Sequence, residues 1–378
     1  EVVRRLVGSD SSRIIIAGAP GVGKTTFVQH VKAVLSEQGF AVASEFCRIP
    51  HGLSAASLGV EMLRSILRSL RTTLSRGRLE TIPGFKEAKR LVEDTERTAW
   101  QGSATIMGTG ASAGAGKRTD RSAYRPSQFH DTLARLAAGA QSEGTRGIVI
   151  HLNNVENLES DPQEAALMLR DARDYFLVPG LHLILGASES LFHSVISIHA
   201  QVRSIFPPPM RLGPLGFDSV LEILDKRVRH LRIDAGMEAV LPVTPELVRE
   251  TFDLFHGDLR GMLQALEDAC IVALATVRPE PLSAGEARSV LAPLYLGHLR
   301  ESLSDTEIGH LVALHGLGLD EFRQADVVKP LGLSQPRVST LFGALERGQA
   351  IFPVRTSGRS QYYAIAGRAR LALDGWRR

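Results

Sequence analysis

The segment Gly18–Thr25 carries the clearest chemical signal in the sequence. It reads Gly-Ala-Pro-Gly-Val-Gly-Lys-Thr and fits the pattern G-x-x-x-x-G-K-[ST] at every position. Glycines in this arrangement let backbone N–H groups point inward at phosphate oxygens, the lysine reaches the β- and γ-phosphates, and the threonine hydroxyl binds Mg²⁺. The pattern therefore predicts a site for ATP and Mg²⁺ in a phosphate-binding loop (P-loop), with Thr25 as a metal ligand. Its predicted members are Gly18, Ala19, Pro20, Gly21, Val22, Gly23, Lys24, Thr25 and Thr26.

The elements predicted around this loop are those that such a site requires. The run Ile14-Ile15-Ile16 predicts a buried parallel strand before the loop, and a helical pattern from Thr25 to about Ser36 follows it, which argues against a chance glycine-rich turn. Further strands are predicted at Phe40–Phe46, Gly147–Leu152 and Leu181–Ala187, and helices at Leu58–Leu74 and around Gln163–Phe176. This alternation predicts an α/β fold, a P-loop NTPase parallel sheet with helices on both faces.

The residues after the predicted strand Gly147–Leu152 bear on whether a bound nucleotide is hydrolysed. In ATPases with this loop, an Asp at the end of a neighbouring strand holds the Mg²⁺ shell, and an adjacent acid polarises the attacking water. The two corresponding positions are Asn153 and Asn154, whose amides can bond a metal-bound water but supply neither charge nor a base. Glu156 is the nearest carboxylate, and it either substitutes as the base or caps the next helix. Asn153, Asn154 and Glu156 are therefore candidate catalytic residues, with Asn153 also a candidate metal ligand, and the pattern supports binding better than fast hydrolysis.

Composition divides the remainder of the chain. Residues 97–122, approximately, are rich in glycine, alanine and serine, and they predict an insertion that is either a flexible loop or a glycine-rich hairpin. The pattern is helical from about Pro214, Arg278–Ala292 is interpreted as a connector broken by two prolines, and three helices and a β-ribbon follow from Ser304. We predict a nucleotide-binding domain at 1–212, an α-helical lid at 213–292 and a winged-helix domain at 293–378.

The C-terminal segment Ser334–Arg378 is basic. It holds eight arginines against two acidic residues, a local net charge of +6, whereas the whole chain carries only +3. Three helices followed by a β-ribbon are typical of a winged helix, in which the third helix contacts the major groove. The predicted contacts to double-stranded DNA are Gln335, Arg337, Ser339 and Thr340 in the third helix and Arg355 and Arg359 in the ribbon. A winged helix that binds protein is the alternative, and the charge favours DNA.

The order of motifs resembles that of the AAA+ ATPases, and most closely the clade of origin-recognition and replication-initiator proteins with its bacterial relatives in transposition and phage defence. Besides the P-loop and the strand before Asn153, the resemblance rests on Leu183–Ser188 and His256–Leu266. The first is similar to the strand that ends in the sensor 1 residue, a role that falls to Ser188 or Glu189. The second contains Gly-Asp-Leu-Arg and is similar to the sensor 2 helix, which implies that Arg260 contacts the γ-phosphate from the lid. A helix start with Asp258 as its cap is compatible with this role.

The same resemblance implies an oligomer in which an arginine of one subunit completes the site of its neighbour. The segment Val202–Phe206 is similar to the one that carries this arginine, but Ile205 stands where the family commonly places it. Arg203 is our candidate. We therefore expect a homo-oligomer, and the resemblance also implies partner proteins of a multi-subunit system.

Composition sets further limits. No apolar run is long enough to span a bilayer and no secretory signal opens the sequence, so we expect a cytoplasmic protein without a membrane partner. The two cysteines, Cys47 and Cys270, are expected to be buried thiols. A stripe formed by Arg64, Arg68 and Arg71 is interpreted as a solvated helix face, with DNA contact as the alternative.

These expectations combine into one leading hypothesis, an AAA+ protein that couples its nucleotide state to DNA binding as an initiator, a loader, or a subunit of a transposition or defence system. A nucleotide-gated transcription regulator with little or no ATP turnover is the second hypothesis. A signalling scaffold whose winged helix binds protein is the third.

Overall fold

The computed structural model describes all residues except 44, 50–53, 96–124, 154, 156–157, 159–160, 189–190, 232–235, 237–239, 274–279, 358–359 and 377–378. The predicted insertion at about 97–122 and the predicted site residues Asn154, Glu156, Glu189 and Arg359 therefore lie outside the described residues. Contacts divide the chain into two units. The first comprises Glu1–Gly18 and Lys24–Leu212, and the second comprises Gly213–Arg378, with which the short segment Ala19–Gly23 is grouped.

A parallel sheet forms the centre of the first unit. Its strands are β1 (Arg13–Ala17), β2 (Ala41–Val42), β3 (Cys47–Arg48), β4 (Ile148–Asn153), β5 (Leu181–Ala187) and β6 (Met210–Arg211). Their order across the sheet is β2-β4-β5-β1-β6, and β3 also pairs with β4. Ala17 lies beside Ala187, so β1 and its neighbour β5 end at the same level of the sheet.

Helices cover both faces of this sheet. They are α1 (Val2–Val7), α2 (Lys24–Glu37), α3 (Ala55–Thr73), α4 (Arg76–Thr81), α5 (85–95), α6 (Pro126–Ser142), α7 (Pro162–Asp171) and α8 (Ala200–Arg203). Successive side chains of a strand point to opposite faces. Accordingly Ile150 and Leu152 of β4 belong to the hydrophobic core that contains α3, α6 and α7, whereas Val149 belongs to the core formed with α1 and α2. The predicted α/β fold with helices on both faces is confirmed.

Two predicted elements of this unit differ in extent from the structure. The strand predicted at Phe40–Phe46 is reduced to β2, with β3 following after a break. The helix predicted to reach Phe176 ends at Asp171 and continues as the 3₁₀ turn Arg173–Leu177. A periodic apolar pattern fits both helix types over one turn, so the sequence does not reveal where one replaces the other.

The second unit consists mainly of helices. They are α9 (Phe217–Leu231), α10 (Pro245–Phe255), α11 (Leu259–Ala273), α12 (Ala284–Ser302), α13 (Asp305–Gly316), α14 (Gln324–Leu331), α15 (Gln335–Arg347) and α16 (Gly367–Trp376). The antiparallel hairpin of β7 (Ile351–Ser357) and β8 (Ser360–Ile365) precedes α16. One hydrophobic cluster contains buried residues from α9 through α16. The further division of this unit into a lid and a winged helix stays a prediction.

The connector predicted at Arg278–Ala292 is wrong, because α12 begins at Ala284. Ser283 and Glu286 form a capping box in which the Ser283 hydroxyl accepts the N–H of Glu286 and the Glu286 carboxylate accepts the N–H of Ser283. Such a box satisfies backbone groups that a helix start leaves without partners. Helix α12 continues through Pro293 and buries Leu291 and Tyr295. Within the described residues, no helix is long and apolar enough to cross a membrane.

Candidate functional site

The predicted P-loop joins the end of β1 to the start of α2. Gly21 and Gly23 have φ angles of +79° and +98°, a left-handed conformation that glycine adopts without steric cost. Gly18 is buried, whereas Ala19 and Pro20 are exposed. Helix α2 begins at Lys24, so its first N–H groups and the positive end of its dipole face the loop.

Lys24 closes this loop on itself. Its Nζ atom donates a hydrogen bond to the Gly18 carbonyl oxygen over 2.8 Å, and the Gly18 N–H donates to the Ala187 carbonyl oxygen over 3.3 Å. The ammonium group is therefore held beside the loop, whose first residue is anchored to the end of β5. Thr25 is half-buried and Thr26 is exposed. Backbone N–H groups, an ammonium and a threonine hydroxyl form a donor set that fits a nucleotide phosphate chain with Mg²⁺.

Asn153 is the last residue of β4 and lies at the same edge of the sheet, because β4 and β5 run parallel. Its side chain lies over Gly186 of the neighbouring strand, where a Cβ atom would come within 3.3 Å of Asn153 Oδ1. The strand thus presents an amide oxygen where an Mg²⁺ shell would benefit from a carboxylate. Asn154 and Glu156, the other two candidates at this strand end, lie outside the described residues.

Ser188 directly follows β5 and is half-buried. Its hydroxyl accepts the N–H of Leu191 over 3.1 Å and so stabilises the turn that follows the strand. The pairing of β5 with β1 brings Ser188 to the edge of the sheet from which the P-loop starts. The predicted sensor 1 role of Ser188 stays a prediction.

Sequence reasoning missed two histidines buried in the sheet. His151 in β4 and His182 in β5 are 1% and 0% exposed, and among the described residues neither imidazole has a hydrogen-bond partner. Burial, and then the charge of Lys32, lower the pKa of His151 to about 3. Burial, and then Arg13, lower the pKa of His182 to about 4. Because both pKa values lie well below 7, both rings are neutral at pH 7. The sequence signal for these two sites was a polar residue inside an otherwise apolar strand.

Lys32 was also missed. It lies on α2 with only 3% of its surface exposed, and its Nζ atom donates to the Glu45 carbonyl oxygen over 3.0 Å. Burial lowers its pKa to about 8. Its position on the buried face of the P-loop helix was not recognisable from the weakly amphipathic pattern of that helix.

The predicted arginine-finger segment lies at the end of α8. Arg203 is exposed as its last residue, and Ile205 is 7% exposed and belongs to the main hydrophobic core of the first unit. The position that the family commonly gives to the finger is thus used for packing in this chain. Arg203 remains the candidate.

The predicted sensor 2 segment surrounds the start of α11. His256 and Gly257 have positive φ angles, and the Asp258 carboxylate then accepts the N–H of Gly261 over 3.0 Å. Asp258 therefore caps the helix, as the sequence suggested. Arg260 is exposed in the first turn of α11, and its predicted contact with the γ-phosphate stays a prediction.

The predicted DNA contacts on α15 are all exposed. They are Gln335, Arg337, Ser339 and Thr340. The opposite face buries Val338, Leu341 and Leu345 as predicted, whereas Leu333 before the helix is only partly buried. Within the part of the chain that the structure describes, Arg337 makes no ion pair.

Arg355 on β7 is exposed but engaged. Its Nε atom donates to Glu321 Oε2 over 2.7 Å, and its guanidinium carbon lies 3.8 Å from the centre of the Tyr362 ring. The sequence predicted the arginine and not its two partners. Arg359 lies outside the described residues.

The arginine stripe of α3 and the two cysteines were also interpreted from the sequence. Arg64 pairs with Glu61 and Arg68 with Glu45, which supports a solvated helix face. Cys47 is buried, and burial raises its thiol pKa to about 12. Cys270 is only partly buried, so the expectation of two buried thiols is wrong for that residue.

Residues 1–183 match the family described as AAA ATPase domain. No curated protein matches the sequence. Among solved structures, the chain is similar to the Aeropyrum pernix ORC1 protein in complex with DNA, with 14% identity, 99% of this chain and 90% of that chain covered, and a TM-score of 0.49. It is similar to the Aeropyrum pernix ORC2 protein in ADPNP-ADP complexes at 17% identity, 99% and 90% coverage and a TM-score of 0.48. It is also similar to Cdc6p from Pyrobaculum aerophilum, with 14% identity, 99% of this chain and 92% of that chain covered, and a TM-score of 0.45. Because these TM-scores lie below 0.5, none of the three likenesses carries an argument. The description of the first unit as a P-loop fold rests on the family match of residues 1–183 and on the geometry of the sheet and loop.

Proposed function

We propose that the protein binds ATP with Mg²⁺ at Gly18–Thr25, within the residues 1–183 that match the AAA ATPase domain family, and that it couples its nucleotide state to contact with double-stranded DNA. The observation that carries the proposal is the loop at the end of β1, where Lys24 Nζ lies 2.8 Å from the Gly18 carbonyl oxygen. A phosphate chain offers this ammonium a stronger, charge-assisted partner than a backbone carbonyl.

The residues around the loop divide the binding task. Backbone N–H groups of the loop and the first turn of α2 hold the phosphate oxygens, and Lys24 balances their charge. Thr25 and Asn153 would hold the Mg²⁺ ion, whose role when bound is to neutralise charge on the β- and γ-phosphates. Ser188 and Arg260 are proposed to respond to the γ-phosphate.

A second candidate is a nucleotide-gated transcription regulator with little or no turnover, and Asn153 favours it. An amide at the end of β4 contributes no negative charge to a metal shell and cannot remove a proton from water. ATP would then act as a state signal, released or exchanged slowly.

The DNA half of the proposal rests on α13, α14, α15 and the β7–β8 hairpin, which we interpret as a winged helix. The exposed face of α15 carries a guanidinium, an amide and two hydroxyls, the groups that bind phosphates and base edges. Ser334–Arg378 has a net charge of +6, which favours a polyanion over a protein partner. A signalling scaffold that binds protein is the competing use of the same fold.

We further propose that the protein acts as a homo-oligomer, with Arg203 of one copy completing the nucleotide site of another. Its exposure at the end of α8 is the observation that supports this role. An initiator, a loader or a subunit of a transposition or defence system would work with additional partner proteins.

The proposal is tested by measuring duplex affinity of the full chain with Mg-ATP, with Mg-ADP and without nucleotide, together with ATP turnover with and without duplex. We expect duplex affinity to differ between nucleotide states. Arg337→Ala should weaken binding and lower the slope of log affinity against log salt by about 0.9, as expected for one lost phosphate contact.

The control is Arg76→Ala, since Arg76 is an exposed arginine of the first unit. Duplex affinity that ignores both nucleotide and the Arg337 substitution would contradict the proposal. Tight nucleotide-gated binding without turnover would support the second candidate.

A further inference from the structure

Phe322, between Glu321 and Arg323, lies beside the hairpin and forms an isolated antiparallel bridge with β8. Phe322 exchanges two backbone hydrogen bonds with Tyr363 of β8, with distances of 3.0 and 2.8 Å. Both of these side chains are buried, whereas Glu321, Arg323 and Tyr362 beside them are partly or fully exposed. Arg355 stands directly across from Tyr362 in the hairpin register. Glu321, Arg323, Arg355 and Tyr362 therefore share one outer surface, which we call the wing face.

Arg355 is fixed on the wing face by two contacts of different kinds. Its guanidinium stacks on the Tyr362 ring at 3.8 Å, and its Nε atom donates to Glu321 Oε2 over 2.7 Å. Stacking holds the guanidinium plane, and the carboxylate occupies one edge of it. Both side chains of the ion pair remain accessible, with 47% of Arg355 and 35% of Glu321 exposed.

Arg323 provides the contrast within the same face. Its guanidinium bonds both oxygens of Asp326 over 2.7 and 3.1 Å, and the Asp326 carboxylate also accepts the Arg323 N–H at the start of α14. That pair is part of a helix cap, so exchanging it would disturb α14. Within the described residues, Glu321 has Arg355 as its one side-chain partner and caps no helix. The ion pair of Arg355 can therefore be exchanged without breaking a helix cap.

We propose that Glu321 regulates DNA binding by holding Arg355 in the free protein, and that the Arg355 guanidinium passes from this carboxylate to a DNA phosphate on binding. The inference rests on the proposed function. The exchange replaces one anionic oxygen partner by another while Tyr362 keeps the guanidinium in place. Exposed ion pairs are weak, whereas a phosphate contact also releases counterions from the duplex, so the exchange favours the bound state.

This arrangement makes Glu321 a competitor of the duplex. It lowers the affinity of the protein for duplex DNA. It also lowers the affinity for any ligand that contacts the wing face through only one phosphate. A duplex that also contacts α15 compensates for the loss of the ion pair. Glu321 thus favours contacts made by both elements together.

The test uses Glu321→Gln in the full chain and measures duplex affinity by fluorescence anisotropy over a range of salt concentrations. We expect affinity to rise about two- to fivefold at low salt, since loss of a weak, exposed ion pair leaves the guanidinium available for the phosphate. In the Arg355→Gln background the same substitution should change affinity less than twofold, because the guanidinium that it liberates is missing.

The matched control is Asp320→Asn, which removes the same charge at the neighbouring exposed position. Equal gains for Glu321→Gln and Asp320→Asn would mean a general charge effect and overturn the proposal, as would an equal gain in the Arg355→Gln background. Circular dichroism checks that each variant folds. If the unaltered chain binds no duplex, the proposed function fails and this inference fails with it, whereas duplex binding that ignores Glu321 contradicts the inference alone.

Discussion

The ends of β1 and β4 lie at the same edge of one parallel sheet and carry different chemistry. β1 leads into a loop in which two glycines with positive φ and the Lys24 ammonium are ready for a phosphate chain. β4 ends in Asn153, an amide, and the resemblance to AAA+ ATPases leads one to expect a carboxylate there. The β1 end thus carries the groups that bind phosphate, whereas the β4 end lacks, at Asn153, the carboxylate that the AAA+ pattern places there.

This difference separates two tasks that ATPases usually combine. Holding a phosphate chain requires donors and positive charge, and the β1 end supplies both. Activating a water requires a base and a charged metal ligand, and the described part of the β4 end supplies neither. We therefore expect substitutions at the β1 end to change nucleotide affinity and substitutions at the β4 end to change turnover.

The largest effect is expected for Lys24→Ala. The substitution removes about two charge-assisted hydrogen bonds to phosphate oxygens of about 2 kcal/mol each, which corresponds to a loss of about 1000-fold in ATP affinity. Isothermal titration calorimetry with Mg-ATP measures it. The control is Lys86→Ala, because Lys86 is an exposed lysine of α5. Unchanged ATP affinity in the Lys24 variant would remove the basis for assigning a nucleotide site to the β1 end.

The second effect concerns the β4 end. The double variant Asn153→Asp, Asn154→Glu supplies the metal-binding carboxylate and the adjacent base that the family pattern places there. A positioned general base contributes at least about 100-fold to a rate, so we expect turnover to rise by about that factor in a phosphate-release assay.

Its control is the double variant Asn153→Ala, Asn154→Ala, which changes the same positions without adding charge. If the acidic variant binds ATP and hydrolyses it no faster than the unaltered chain, the amides do not limit turnover. Rapid hydrolysis by the unaltered chain that Glu156→Gln abolishes would instead make Glu156 the base and erase the contrast between the two strand ends.

Sequence alone predicted those parts of the molecule in which local chemistry decides the structure. The P-loop is one, because each of its positions has a backbone or phosphate requirement that few residue types meet. The strand Leu181–Ala187 is another, and its bounds agree with β5, because a mainly apolar run between Gly180 and Ser188 leaves little choice of boundaries. The register of β5 against β1 and β4 then places the residues that follow the strands.

What sequence could not predict depends on distant partners or on competition between local rules. Two prolines suggested a connector where the Ser283–Glu286 capping box starts α12. The ion pair between Arg355 and Glu321 spans 34 positions of the chain and arises only when the segment before α14 pairs with β8. The burial of His151, two residues before Asn153, could likewise not be predicted, because it depends on how the helices pack against that face of β4.

A third effect concerns the pH dependence of stability and distinguishes the interiors of the same two strands. β1 buries aliphatic side chains such as Ile16, whereas β4 buries His151, whose imidazole has no hydrogen-bond partner in the described part of the chain. Its pKa is about 3 in the folded protein, against about 6.5 for an unperturbed histidine. As the pH falls below 6.5, the unfolded chain therefore takes up a proton at this position that the folded protein does not. The penalty is absent above pH 6.5 and grows towards pH 3, by about 1.4 kcal/mol of unfolding free energy per pH unit.

The variant His151→Leu has no imidazole that takes up a proton on unfolding. The free energy of unfolding of this variant should therefore fall less steeply with decreasing pH than that of the unaltered chain. Urea unfolding followed by circular dichroism between pH 7 and pH 4 measures the slope. His182, with a pKa of about 4, continues to contribute in the variant, which is why we expect a reduced slope and not a flat one. The matched control is the same substitution at exposed His230 in α9. A slope for His151→Leu as steep as that of the control would mean that this imidazole is protonated in the folded sheet, and the acid sensitivity would then not belong to β4.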